Sequence, residues 1–292
     1  MYINDLPENC SPLHPKRIML LADDTKTYEC IGTTPEQHQT SQETLQARIN
    51  SIAEWADTWK LMLHPDKAKI LHIGKNNPCM NYTLKDAPIK TVTEEKDIGF
   101  WITDTLSTTT HIQKARAKAL AEIHRIRRNF SYIDKQTFCI LYNQRVRPHL
   151  DYGMTACPPG SCVDSKLLES VQDKATGMVN GLRSMNAEER RKMLGLMTLK
   201  QRRERGDLIE VYKILNGLTK INPEEFWEVR EARNGARLVK ELAENGRKPR
   251  QNFFSYRVIQ KWNLLPEKVK NAPSLDCFKS RLDKHMSEKP ST

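Results

Sequence analysis

Apolar residues recur along this chain in two rhythms, and the rhythm changes near residue 106. In the first part short β-capable runs alternate with one long helical stripe. Arg17 to Ala22 (RIMLLA) is an apolar run and Lys26 to Ile31 (KTYECI) a β-capable one, with Asp23, Asp24 and Thr25 between them. That pattern predicts a hairpin with acidic residues at its tip. Thr34-Pro35-Glu36-Gln37 has the form of a capping box with Pro at the first helical position. Leu45, Ile49, Ile52, Ala56, Trp59 and Leu63 follow at steps of four and three, so a long amphipathic helix is predicted. His64-Pro65-Asp66 breaks it, Lys67 to Ile73 (KAKILHI) reads as a strand, and Gly74 to Pro78 as a loop. A further strand is predicted over Asp97 to Thr103, with Gly99 inside it marking a close backbone approach.

From Thr110 onward the period is helical. Ile112, Ala115, Ala119, Ile123, Ile126 and Phe130 form one stripe, and Phe138, Leu141, Tyr142 and Val146 another before Pro148. Leu167, Leu168, Val171, Ala175, Met178 and Leu182 make a third; Leu199, Leu208, Ile209, Tyr212 and Leu215 make a fourth, ended by Asn216-Gly217. The polar stretch Arg230 to Arg250 reads as a linker, followed by short helices over Asn252 to Lys261 and Ser274 to Met286. The expected fold is α+β in residues 1–106, all-helical in 107–229, with a linker and helical extension in 230–292.

Charge sharpens this division. Residues 1–110 carry 11 basic and 15 acidic side chains, whereas 111–292 carry 36 and 21, so a chain of net charge +11 holds its positive excess in the helical part. Clustered Lys and Arg gain affinity for polyanions by releasing condensed counterions. Two clusters stand out: Lys114, Arg116, Lys118, Arg125, Arg127 and Arg128, then Arg190, Arg191, Lys192, Lys200, Arg202, Arg203 and Arg205. The plainer reading is that both are the solvated faces of amphipathic helices. Seven scattered cysteines without a CxxC suggest a reduced, intracellular protein, nuclear or cytoplasmic. His149, Cys157 and Cys162 fit no common zinc spacing, and no apolar run approaches membrane-spanning length.

The chemistry-bearing residues are Asp23 and Asp24. Two adjacent carboxylates repel unless a cation or solvent offsets their charge, and paired divalent ions are the arrangement that activates a 3′-hydroxyl and steadies a departing pyrophosphate. A solvated turn explains Asp-Asp equally well.

The surrounding residues change that balance. Tyr2-Ile3-Asn4-Asp5-Leu6-Pro7, Leu21-Ala22-Asp23-Asp24-Thr25-Lys26, Trp59 with His64-Pro65-Asp66-Lys67-Ala68-Lys69, and Lys96-Asp97-Ile98-Gly99 together resemble the C-terminal half of a reverse transcriptase from a jockey-like non-LTR (LINE) retrotransposon. Later text is similar to it too: Leu141-Tyr142, Val146-Arg147-Pro148, Leu168-Glu169-Ser170-Val171-Gln172, Arg205-Gly206-Asp207-Leu208-Ile209 and Trp262-Asn263-Leu264-Leu265-Pro266. The resemblance implies a partial polymerase palm followed by a helical thumb. It implies that Asp23 and Asp24 are palm carboxylates for two Mg²⁺ ions, that Lys67 lies near the incoming nucleotide's phosphates, and that Gly99, Phe100 and Trp101 grip the primer end. Its partners would be an RNA template and a DNA primer. A surface lysine for Lys67, and core packing for Phe100 and Trp101, are the plainer alternatives.

Leu21 departs from the family, which has an aromatic residue before Ala-Asp-Asp. The palm's further Asp and its nucleotide-pocket segment are expected before residue 1, so the chain alone is expected to be inactive as a polymerase. The rival expectation is a non-catalytic nucleic-acid-binding relic or domesticated protein; a metal nuclease on Asp23-Asp24 would need further ligands at suitable spacing.

Overall fold

In the computed structural model, residues 2–232, 235–240 and 252–288 are described. The architecture is α+β, and the chain divides into two units, residues 1–97 with 101–106 and residues 98–100 with 107–292.

In the first unit a short helix α1 (Leu6–Cys10) precedes strands β1 (Ile18–Leu21) and β2 (Asp24–Thr27). They pair antiparallel from Ile18↔Thr27 to Leu21↔Asp24, which leaves Ala22 and Asp23 as a two-residue connection. Ala22 takes φ +54°, as such tight connections demand. Helix α2 (Pro35–Thr58) starts where the capping box predicts: the Thr34 side chain accepts from the Gln37 amide and the Gln37 side chain answers the Thr34 amide. It ends before the apolar stripe does. The Leu61 amide donates to the Ala56 carbonyl and the Lys60 amide to that of Asp57, with Lys60 left-handed at φ +55°, so Trp59 and Leu63 fall outside the helix.

One side of α2 closes a core of Leu6, Cys10, Ile18, Ile52, Trp55 and Ala56; the adjoining side packs Ile49 and Ala53 on Tyr82 and Leu84. The buried Arg48 guanidinium fastens the hairpin's exit to α2, donating to Thr27 Oγ1, the Tyr28 carbonyl and Glu29 Oε2 at 3.1, 2.9 and 2.8 Å. Lys26 of β2 pairs with Asp97.

The remaining strands are short. β3 (Lys69–Leu71) runs parallel to β6 (Lys90–Val92), and β4 (Thr83–Leu84) turns back on β5 (Ala87–Pro88). The strand expected from Lys67 begins only at Lys69, because Pro65–Lys67 forms a 3₁₀ turn. The single strand expected over 97–103 is instead a hairpin bend between β7 (Glu94–Asp97) and β8 (Phe100–Thr103). Ile98 and Gly99 have φ of +47° and +83°, so Gly99 serves a two-residue turn rather than a strand interior.

The second unit is helical around two cores. Helix α3 (Thr109–Asn129) packs on α6 (Cys162–Thr176), with α4 (Lys135–Leu141) and α5 (Arg147–Asp151) beside them. Ile112, Ala119, Ile123, Phe138, Tyr142, Val146, Leu150, Leu168, Val171 and Ala175 fill this core. Between α4 and α5, residues Tyr142–Val146 form a π turn in which the Arg147 amide reaches the Tyr142 carbonyl. Pro148, which has no N–H to donate, follows directly, and the wider turn accommodates it. Helices α7 (Ala187–Met193) and α8 (Leu199–Leu215) open on capping boxes from Asn186 and Thr198.

The division expected at residues 229/230 is not where the packing divides. Helix α8 contributes Leu199 to the first core and Leu208, Ile209, Val211, Tyr212 and Ile214 to a second. The second core is completed by Trp227, Leu238, Val258, Trp262 and Phe278, so it reaches across the expected linker. Strands β9 (Glu228–Arg230) and β10 (Arg237–Val239) pair antiparallel, followed by α9 (Phe254–Asn263), α10 (Glu267–Lys270) and α11 (Leu275–Glu288). The expected linker is therefore partly a structured ribbon; residues 241–251 lie outside the described residues. Three buried aromatic polar atoms are answered here: Trp227 Nε1 donates to the Ser255 carbonyl (2.6 Å), Trp262 Nε1 to that of Ala236 (2.9 Å), and Tyr212 Oη to that of Ala272 (2.7 Å). No described helix is long and apolar enough to cross a membrane.

Candidate functional site

Asp23 occupies the β1–β2 connection and Asp24 opens β2, so both acids stand at the bend, and both are exposed. Among the described residues neither carboxylate takes a hydrogen bond or an ion pair. Two exposed carboxylates suit one hard cation that keeps most of its waters or takes phosphate oxygens. Among the described residues no group of three or more His, Cys, Asp or Glu side chains could hold a metal.

Lys67 ends the Pro65–Lys67 turn, just before β3, and is exposed. The three residues expected at a primer end have different settings. Gly99 completes the β7–β8 turn, and Trp101 is half-buried in β8. Phe100 belongs to an aromatic stack within the helical unit: its ring lies 5.2 Å from that of Tyr152 at 21° and 5.4 Å from that of His111. Tyr152 Oη donates to the Ile98 carbonyl at 2.6 Å, and a Cβ on Gly153 would collide with the Phe100 ring. Phe100 is half-buried and packs on Tyr152, His111 and Gly153.

His111 escapes sequence reasoning, since it falls on the buried side of α3 with no motif around it. It is 5% exposed. Burial pushes its imidazole pKa down, a hydrogen bond with the Tyr152 backbone works against this, and the Lys118 charge adds to the lowering.

The two basic clusters separate in the structure. On α3 the buried stripe of Ile112, Ala115, Ala119, Ile123 and Ile126 leaves Lys114, Lys118, Arg125 and Arg128 along the opposite side, at successive steps of four, seven and three residues. Lys118, Arg125, Arg127 and Arg128 are exposed; Lys114 and Arg116 are half-buried, and Arg116 Nε is enclosed without a partner among the described residues. Arg125 meets Glu122 on its own helix, whereas Lys118, Arg127 and Arg128 have no ion-pair partner among the described residues. From Lys118 to Arg128 the stripe runs about 15 Å at 1.5 Å per residue.

The arginines of the second cluster are turned toward partners within the chain, whereas Lys192 and Lys200 are exposed. Arg202 grips Asp151 (Nη2–Oδ2 2.9 Å), Arg203 donates to Ser165 Oγ (2.9 Å), and Arg205 takes Asp283 with two bonds. Arg190 donates to Thr176 Oγ1 and two carbonyls, and Arg191 to Asp173. Arg202, Arg203 and Arg205, expected to contact nucleic acid, each give donors to partners within the chain that tie helices together. Their spacing along the sequence could not show this, because the partners are remote.

No model of a known protein family matches the chain, and no characterised protein or solved structure matches it either.

Proposed function

We propose that this chain is the C-terminal part of a reverse-transcriptase palm, continued by a helical thumb, from a jockey-like non-LTR retrotransposon. Asp23 and Asp24 are its metal-binding carboxylates, and it binds an RNA template with its DNA primer. The observation that carries this reading is the exposed Asp-Asp pair at the bend of a two-stranded hairpin, inside a stretch of sequence resembling that family. In a complete enzyme, Mg²⁺ held there would lower the cost of ionising a 3′-hydroxyl and of releasing pyrophosphate. What the chain's own residues supply is narrower. The carboxylates present oxygen donors to a cation, Lys67 offers a positive charge in the turn after α2, and α3 presents exposed cations to a phosphate backbone.

A second reading has its own support. With no group of three metal ligands among the described residues, a nucleic-acid-binding protein without catalysis needs nothing beyond the α3 stripe. One pair of measurements tests both readings, which part only if the chain alone extends a primer. Binding of a primed RNA template by the full chain should weaken steeply with salt under both, and an affinity indifferent to salt would remove both. Primer extension with Mg²⁺ is expected to be absent from the chain alone. Extension that disappears in Asp23→Ala would show that the chain alone catalyses through this carboxylate and eliminate the non-catalytic reading.

A further inference from the structure

Two spaces border the second core near Phe226 and Trp227. One is a space of ≈ 540 Å³ lined by Leu215, Pro223, Glu224, Trp227, Glu228 and Val229, whose glutamates would repel a polyanion. The other, of ≈ 300 Å³, is lined by Phe226, Lys240, Phe253, Phe254, Ser255 and Tyr256. Four of its six lining residues are aromatic, and its charged member is basic. Phe226 and Phe254 meet edge to face at 6.2 Å and form its inner wall with Trp227 behind them. The Lys240 ammonium lies 5.0 Å from the centre of the Tyr256 ring.

Phe253 is the unusual member. It sits at the N-cap of α9, a position favouring Ser, Thr, Asp or Asn, and supplies no capping side chain. It gains little in burial, because it remains 49% exposed. The neighbouring Phe254 does the packing in its place, touching both Phe226 and Trp227. An aromatic residue that neither caps nor fills a core, beside a basic side chain in the positively charged part of the chain, has the composition of a base-stacking platform.

We propose that this pocket receives one unstacked nucleobase of a single-stranded nucleic acid, with the base against Phe253 and Tyr256 and the strand's phosphate near Lys240. The proposal rests on the nucleic-acid reading above and adds a second, non-electrostatic mode to it. Exposed cations on α3 suit the regular phosphates of a duplex. The pocket suits a strand whose bases are free, since stacking requires an open π-face. Because every base has such a face, recognition here tolerates sequence.

The test uses the full chain, a fluorescent oligothymidylate and a fully paired duplex, with anisotropy titrations at two salt concentrations. Phe253→Ala should weaken oligothymidylate binding roughly 5- to 150-fold, the range for loss of one aromatic stack. It should leave duplex affinity and the salt dependence of both probes unchanged. Phe253→Trp should restore the affinity, and the added indole emission should be quenched when the strand binds. Phe253→Ala with unchanged oligothymidylate binding overturns the pocket assignment while leaving the duplex reading intact, and points to an apolar side chain of a protein as the occupant. Equal weakening of both probes by Phe253→Ala also overturns it, since that is what a general loss of fold produces. If the unaltered chain binds neither probe, the nucleic-acid reading fails and the pocket assignment with it.

Discussion

Two clusters of cations that look alike in the sequence have different surroundings in the folded chain. On α3, Lys118 and Arg128 stand opposite a buried stripe, and they and Arg127 are exposed with no ion-pair partner among the described residues. On α8, Arg202, Arg203 and Arg205 are tied to Asp151, Ser165 and Asp283. The difference comes from what packs against each helix. Helix α3 shows one side to a core and the other to water, whereas α8 runs through the junction of two cores and has neighbours around most of its girth. A basic run on a helix with two packed sides is turned into cross-links; only on a one-sided helix does it remain available to an outside anion.

The strongest way to break this comparison is to disrupt the polar packing of α8. Asp207 is 4% exposed and takes two bonds from Arg257, which also reaches the Thr155 carbonyl. Asp207→Ala strands a guanidinium among buried groups, so a loss of about 3–5 kcal/mol is expected. Denaturant unfolding measures it, and a loss under about 1 kcal/mol, the level of an exposed pair, would mean that α8 is not fastened as described.

Replacing Lys118, Arg125 and Arg128 by Gln should act on binding instead. Stability should move by no more than about 0.5 kcal/mol per substitution. The slope of log affinity for a primed template against log salt should fall by about 0.9 for each phosphate left without its cation. An unchanged slope removes the α3 interface.

Arg205→Gln sharpens the contrast from the other side. Its pair with Asp283 is partly exposed, so the stability loss should stay below about 1 kcal/mol, with no change in salt slope. A slope reduced as much as in the α3 variant would erase the distinction between the clusters.

The smallest effect concerns the inner side of α3. Burial holds His111 below its unfolded value of about 6.5, so below that pH the unfolded chain takes up a proton that the folded chain resists. Stability should be flat above pH about 6.5 and decline as pH falls toward the folded pKa. In His111→Gln this part of the decline should vanish, as read from unfolding midpoints across a pH series. An unaltered acid limb would show that His111 is not held neutral.

Much of the first unit is legible in the sequence. The hairpin, the Thr34–Gln37 cap and the stripe of α2 all depend on residues within a turn or two of one another; the cap is where the pattern puts it, the connection is Ala22-Asp23 instead of Asp23-Asp24-Thr25, and α2 stops before Trp59 and Leu63. The 97–103 segment reads as one strand because a single Gly is compatible with a strand interior and with a two-residue turn; left-handed φ at Ile98 as well as Gly99 decides for the turn. The stretch after Arg230 reads as a linker because its large apolar residues are sparse. Leu238 is nevertheless 1% exposed, and Asn263 clamps it by hydrogen bonds to both its amide and its carbonyl at 2.9 Å.

By itself the sequence determined the longer helices, the Thr34 cap, a hairpin with acidic residues at its bend and the concentration of positive charge in the later two-thirds of the chain. These follow from period and local hydrogen bonding, which need no knowledge of distant residues. Tertiary structure alone decided which cations are free, that Phe100 packs instead of facing outward, and that one helix serves two cores. Each of those depends on partners far away in sequence, as in Arg202 with Asp151 across 51 residues and Arg205 with Asp283 across 78. A side chain's charge is written in the sequence; whether that charge is already neutralised by a neighbour is a property of the fold.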